Sequence, residues 1–98
     1  MIIILGSAIV RSDCRADALA LGITHSSRSR DEPGCISHNC HIDAENPDKL
    51  VFVEQWADMA AVKQHFAVPD SGEFVRLLSQ MAIAAPEMQL FAADELNR

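Results

Sequence analysis

Residues 32–66 read EPGCISHNCHIDAENPDKLVFVEQWADMAAVKQHF, and this stretch decides the fold. The Pro-Gly pair at 33–34 breaks the chain before alternating residues that predict a strand over 35–43. The Asn-Pro-Asp triplet at 46–48 has the residue types of a turn, and a second strand is predicted over 50–56. This part of the chain therefore predicts a two-stranded hairpin.

Two helices and a short strand are predicted after the hairpin. Asp58 is a suitable N-cap for the first helix, whose inner face is formed by Met59, Val62 and Phe66. Pro69 interrupts that helix, and the next one has an inner face formed by Phe74, Leu77, Leu78 and Met81. Pro86 ends the second helix before a last strand over 88–93.

The residues before the hairpin predict one strand and one helix. The apolar and β-branched residues over 2–10, interrupted only by Gly6-Ser7, are typical of a strand that is buried on both faces. Ser12 or Asp13 can cap the helix, and its pattern is lost in the polar stretch 26–30. The apolar residues at helical spacing are Ala16, Leu19, Ala20 and Ile23.

The predicted order β-α-β-β-α-β is the ferredoxin-like arrangement of the α+β class. It gives a four-stranded antiparallel sheet with helices on one face only. The first strand is nevertheless apolar on both sides, so a second copy of the sheet is the simplest cover for its other face. We therefore predict a homodimer in the form of a dimeric α/β barrel. Each chain is predicted to be a single domain (1–98), because 98 residues leave no room for a second core.

Composition and charge exclude several function classes. The net charge of −6 argues against nucleic acid and against an anionic membrane surface, since both are bound through clustered Lys and Arg. The apolar opening has no basic flank and stops at residues 6–7, so we do not expect a signal peptide. No stretch approaches the roughly 20 apolar residues of a membrane span. These features predict a cytoplasmic chain whose three cysteines are reduced thiols.

The first hairpin strand contains residue types that bind metals, but their order argues against a metal site. In an extended strand Cys35 and His41 point to one face, while His38 and Cys40 point to the other. Four ligands that are split between two faces cannot surround one ion, and the paired C-x-x-C spacing of zinc sites is absent. We therefore expect no metal site in this strand.

One face of the hairpin combines side chains that a small-molecule site would use. The length of the turn suggests that Asp43 lies opposite Leu50, which sets the register of the two strands. Asn39 then lies across from Glu54, His41 across from Phe52, and Ser37 across from Trp56. An amide, a carboxylate, an imidazole and an indole on an otherwise apolar wall can orient a ligand.

Four motifs in this order resemble the antibiotic biosynthesis monooxygenase (ABM) family. They are E-P-G-C at 32–35, D-x-x-x-P at 43–47, E-x-W-x-D at 54–58, and His65 in the helix that follows. The family consists of small dimeric α+β barrels and includes quinol oxygenases that work without metal or flavin. The resemblance thus implies a cofactor-independent monooxygenase that oxidises an electron-rich aromatic substrate, a quinol or polyphenol, with O₂.

The resemblance also implies roles for particular residues. His65 is the candidate general base, Asn39 a donor to a substrate oxygen, and Trp56 a wall on which the substrate stacks. His41 and Glu54 are candidate substrate contacts. Three of these residues also have a purely structural interpretation. Trp56 would be a core anchor, His65 a hydrogen-bonded residue at the core edge, and Glu54 half of an ion pair.

Two other functions fit a chain of this kind. The same cavity would serve a non-catalytic ligand-binding or stress-related dimer. Haem degradation also occurs among ABM-like proteins, which place a tryptophan and a haem-ligating histidine on the helical segment after the third strand. Here the single tryptophan, Trp56, ends that strand, and no histidine follows His65. His38 stands where the family often has tyrosine, and the chain has no tyrosine at all.

Overall fold

The computed structural model describes residues 1–97. A short 3₁₀ turn over Ser12–Cys14 precedes the first helix. The helices and strands of the described residues are β1 (Ile2–Ile9), α1 (Arg15–Ser29), β2 (Cys35–Asp43), β3 (Asn46–Trp56), α2 (Met59–Ala67), α3 (Pro69–Met81) and β4 (Glu87–Ala92).

The four strands form one antiparallel sheet in the order β2-β3-β1-β4. This order and the helices between the strands confirm the predicted ferredoxin-like fold of the α+β class. The hydrophobic core lies between the sheet and the helices, where Ile4, Ala8 and Val10 of the first strand and its extension are buried. Leu5 and Ile9 point away from the helices and are 40% and 37% exposed.

Helix α1 continues through the polar stretch in which the sequence pattern is lost. The loss of the apolar pattern does not mark the end of the helix, because α1 runs to Ser29 and buries polar residues against the sheet. Their hydrogen bonds make this possible: Ser29 Oγ, for example, donates to the carbonyl of His25 at 2.7 Å. The predicted side-chain cap from Ser12 or Asp13 is not formed.

Gly22 lets α1 approach the sheet closely. A Cβ at this position would lie 2.7 Å from Cys40 Sγ and 3.1 Å from the Phe52 ring, so any larger residue requires the helix or its neighbours to shift. His25 follows Gly22 by three residues on the same buried side of α1. The glycine therefore determines how deeply the histidine reaches toward the sheet.

Helices α2 and α3 confirm most of the predicted boundaries. Asp58 caps α2 by accepting a hydrogen bond from the Ala61 N–H at 2.9 Å, and Pro69 opens α3. The predicted inner face of α2 is correct only at Val62: Met59 and Phe66 are exposed, and the buried residues are Ala61, Val62 and His65. Phe74 and Leu78 of α3 are buried as predicted. No helix among residues 1–97 is long and apolar enough to cross a membrane.

The predicted register of the hairpin is wrong by one residue. The chain reverses at residues 44–45, before the Asn-Pro-Asp triplet, and β3 begins at Asn46. Glu54 pairs with His38, so Asn39 pairs with Val53 instead. One extra residue between Cys35 and Ser37 bulges from β2, so Cys35 pairs with Trp56. Successive strand residues face opposite sides, so a shift of one residue turns His38 toward the helices and Asn39 away from them.

Candidate active site

Three side chains converge on one carboxylate oxygen beneath the helices. Trp56 Nε1 donates to Glu54 Oε1 at 2.9 Å. The Nε2 atoms of His38 and His65 lie 3.2 Å and 3.8 Å from the same oxygen. All four side chains are buried, so Glu54 is a carboxylate whose surroundings come from the protein rather than from bulk water.

Each of three buried histidines has its Nδ1 held by a neighbour. The pairs are His38 with Ser26 Oγ at 2.8 Å, His65 with Glu32 Oε1 at 2.9 Å, and His25 with Arg28 Nη2 at 2.9 Å. The Glu32 carboxylate accepts from Nδ1–H of His65, which leaves a lone pair on Nε2 when the ring is neutral. A guanidinium can only donate, so His25 accepts at Nδ1 and carries its proton on Nε2.

Arg28 connects the end of α1 to the residues around it. Its Nη1 donates to Glu32 Oε2 at 2.7 Å and its Nη2 to Ser71 Oγ at 3.3 Å. Its Nε also lies 3.6 Å from Asp70 Oδ2. One cation therefore fixes both Glu32, which orients His65, and the position of His25.

The ionisation of two residues departs from ordinary values. Burial lowers the pKa of His25 from 6.5 to about 3, and the positive charges of the nearby His38, His65 and Arg28 add to this effect. Burial would raise the pKa of Glu54, but the nearby His38 imidazole and the Trp56 N–H outweigh it, so the pKa lies below the usual range. At neutral pH the site thus contains a neutral His25 beside an ionised Glu54.

The depressed pKa of His25 predicts that acid destabilises the fold. Unfolding returns this pKa to about 6.5, so the unfolded chain binds more protons and the contribution of His25 is lost as pH falls from 6.5 toward 3. At pH 5 the loss should be about 2 kcal/mol relative to pH 7.5. Urea unfolding with a chelator present, compared between the wild type and His25→Gln, measures it. An equally steep pH dependence in the variant would contradict the assignment to His25.

A cavity opens beside Glu54, between α3 and the sheet. Its volume is about 170 Å³, and its two buried titratable side chains are Glu54 and His25. Val75 and Met88 at its edge are exposed, so this side faces solvent. The apolar residues around it are Phe52, Phe74, Val75, Leu78, Pro86 and Met88. An apolar cavity with a few convergent polar groups is the usual form of a small-molecule site.

A model of the family described as antibiotic biosynthesis monooxygenase matches residues 1–77. The chain belongs to this family. An uncharacterized protein of Synechocystis sp. is 31% identical over 94 residues, which cover 96% of this chain and 64% of that protein. The chain thus spans less than two thirds of that relative's length.

Solved structures share the fold of this chain. An antibiotic biosynthesis monooxygenase is 23% identical with a TM-score of 0.89, and the match covers 97% of this chain and 100% of that one. A candidate antibiotic biosynthesis monooxygenase from Deinococcus radiodurans is 20% identical with a TM-score of 0.94, covering 100% and 97% of the two chains. At these identities the likeness shows that the ABM fold is shared.

Within this ABM chain, the residues singled out from the sequence divide between two faces of the sheet. Glu54 lines the cavity, while Trp56 and His65 lie behind it, with ring centroids 4.6 Å apart. Asn39 and His41 are exposed on the opposite face and do not contact Glu54. They pair with Val53 and Val51, one residue away from the predicted partners.

The sequence analysis assigned no site role to four members of this buried cluster: His25, Arg28, Glu32 and His38. His25 was missed because the apolar pattern of α1 fades before it, although it follows Ala18 and Gly22 at helical spacing. That spacing was the available signal. His38 was placed on the wrong face with its strand.

Proposed function

We propose that this chain is a monooxygenase that oxidises a single-ring quinol or a related electron-rich phenol with O₂, without metal or flavin. The observation that carries the proposal is an apolar cavity with two buried titratable side chains, the ionised Glu54 and the neutral His25. Family membership supports the monooxygenase class. The volume of about 170 Å³ is close to the roughly 150 Å³ that holds benzene in another protein, which favours one ring.

The side chains have complementary roles in this proposal. A substrate hydroxyl in the cavity donates to Glu54, and His65 Nε2, which lies 3.8 Å from Glu54 Oε1, is the base to which the proton passes. Glu32 and Arg28 stabilise the resulting imidazolium. The Nε2–H of His25 is available to donate to the substrate oxygen on which negative charge develops. The apolar walls limit the entry of water.

The reaction balances without an external reductant. A quinolate gives an electron to O₂ directly, and recombination forms a carbon–oxygen bond on the ring. Loss of water then leaves a hydroxyquinone, so one oxygen atom enters the product and the other leaves as water. The substrate supplies all four electrons that O₂ accepts, which is why the proposal assigns no redox cofactor.

Oxygen uptake by chelator-treated protein tests this function. With a panel of single-ring quinols we expect O₂ to be consumed at a ratio of one per quinol, and ¹⁸O₂ to place one labelled atom in the product. Spontaneous quinol oxidation releases peroxide instead, so added catalase returns O₂ in the protein-free control but not in the enzymatic reaction.

Two outcomes would reject the proposal. If no quinol is consumed faster than in buffer but one binds in the cavity, the chain is a non-catalytic binding protein. If turnover is lost with the chelator and restored by one metal, the reaction depends on that metal.

We also propose that the chain forms a homodimer through the sheet face that carries no helices. Leu5, Ile9 and Phe91 on this face are 40%, 37% and 45% exposed in the protomer. An apolar face of this kind is typical of an interface between copies, and a stable one buries on the order of 2,000 Å² or more. The cavity opens on the other side of the sheet and would remain accessible in this dimer.

Sedimentation tests the dimer. The wild type should sediment as a dimer at micromolar concentration, and Leu5→Glu should shift it to monomer because the charge would be buried in the interface. Ile23→Glu is the matched control, since Ile23 is exposed on α1, far from this face. A monomeric wild type, or an equal effect of both substitutions, would contradict the proposed interface.

A further inference from the structure

One nitrogen in the buried cluster has no partner. The His38 ring is completely buried, and its Nε2 has no hydrogen bond among the described residues although Glu54 Oε1 lies 3.2 Å away. A buried polar atom without a partner is costly, so its presence calls for an explanation. The orphaned atom points to something that the protein binds at this place.

Two distances to Glu54 Oε1 are close to the spacing of metal ligands. Tetrahedral bonds of about 2.0–2.1 Å place ligand atoms about 3.3–3.4 Å apart. The two histidine nitrogens lie 3.2 Å (His38) and 3.8 Å (His65) from Glu54 Oε1, so the longer gap needs to close by only about 0.4 Å. Nitrogen atoms of His25, His38 and His65 all lie within 4.8 Å of one another.

The residues around these atoms also have the arrangement found at metal sites. Histidines that bind metals almost always use their other ring nitrogen in a hydrogen bond that fixes the ring. Here Ser26 holds Nδ1 of His38, and Glu32 holds Nδ1 of His65. Trp56 donates to Glu54 Oε1 and fixes the carboxylate in the same way.

We propose that Glu54, His38 and His65 bind one divalent transition-metal ion, with His25 beside its open coordination position. Two imidazoles and one carboxylate suit ions such as Zn²⁺, Fe²⁺ and Co²⁺. His25 is a neighbour rather than a ligand because Arg28 donates to its Nδ1, which leaves the proton on Nε2.

The site has a consequence for the proposed oxidation, and this part of the inference rests on that function. The ion would use the Nε2 lone pair of His65 and an oxygen of Glu54, which are the two groups that accept the substrate proton. A redox-inert ion such as Zn²⁺ should therefore inhibit quinol oxidation, and the chelator should restore it. Metal binding itself is measured without turnover, so the two proposals can fail separately.

Titration of the chelator-treated full chain with Co²⁺ tests the site. We expect one Co²⁺ per chain, visible absorption bands of four- or five-coordinate cobalt, and displacement by Zn²⁺. His38→Gln, His65→Gln and the near-isosteric Glu54→Gln should each weaken binding at least about 100-fold while circular dichroism shows an intact fold. Ser26→Ala, which removes only the hydrogen bond to His38, should weaken it about 10–100-fold.

Two control variants exclude other sites. His41→Gln removes an exposed imidazole from the same strand, and Cys35→Ala removes a nearby thiol, so both should bind Co²⁺ like the wild type. No cobalt binding below about 100 μM in the wild type would overturn the proposal. So would equal binding by His38→Gln and the wild type, or loss of binding in either control variant.

Discussion

Glu54→Gln should lower kcat for quinol oxidation by roughly 10²–10⁴-fold, the range for loss of a general base. Glutamine keeps an oxygen that can accept from Trp56 but cannot take the substrate proton. Because Glu54 lines the cavity, KM should rise as well. Initial rates of oxygen uptake, corrected for spontaneous oxidation and measured with a chelator present, give both constants.

Glu45→Gln is the control for this substitution. Glu45 lies exposed in the turn between β2 and β3, so the same change of a carboxylate to an amide should leave kcat and KM unchanged there. The melting temperature of both variants shows whether the fold survives. Wild-type kcat in a folded Glu54→Gln protein would remove Glu54 from the reaction.

His65→Ala should lower kcat by about 10²-fold or more with little change in KM, because His65 acts behind Glu54 and does not line the cavity. A residue with only a structural role would instead cost about 1 kcal/mol of stability and leave kcat unchanged.

The control for His65 is His41→Gln, since His41 is exposed on the opposite face of the sheet. It should have wild-type kcat and KM, because the cavity opens on the other face of the sheet. Loss of activity in this variant would favour the predicted substrate contact by His41, supplied from the sheet face proposed as the dimer interface.

Periodicity predicted the order of helices and strands, because apolar spacing reports burial directly. The apolar pattern gave no signal where the buried side chains are polar. The last turn of α1 buries His25, Ser26 and Ser29, which are polar and therefore add nothing to an apolar pattern; His25 and Ser29 are satisfied within the helix, and Ser26 bonds to His38 of β2. His65 likewise turns the inner face of α2 away from Phe66 because Glu32, distant in sequence, holds its ring.

The resemblance to the family singled out Glu54, Trp56 and His65 as candidate site residues, and the structure places these three side chains together at one end of the sheet. It did not predict the partners of His25 and His38. These depend on the pairing register of the hairpin and on the depth to which Gly22 lets α1 descend.

The extra residue in β2 between Cys35 and Ser37 interrupts the regular alternation of side chains between the two faces of that strand. Downstream of it, the residues of one parity (His38, Cys40 and Ile42) face the helices, and those of the other (Asn39 and His41) face outward. Deleting one residue there would leave the pairs Cys35–Trp56 and Ser37–Gln55 in place, so only the spacing in sequence between Cys35 and the residues downstream would change. Relatives with the same fold and nearly the same sequence can therefore place different residue types on the same face of this strand, depending on whether they have the bulge. Site residues should be compared between them by strand parity rather than by alignment column.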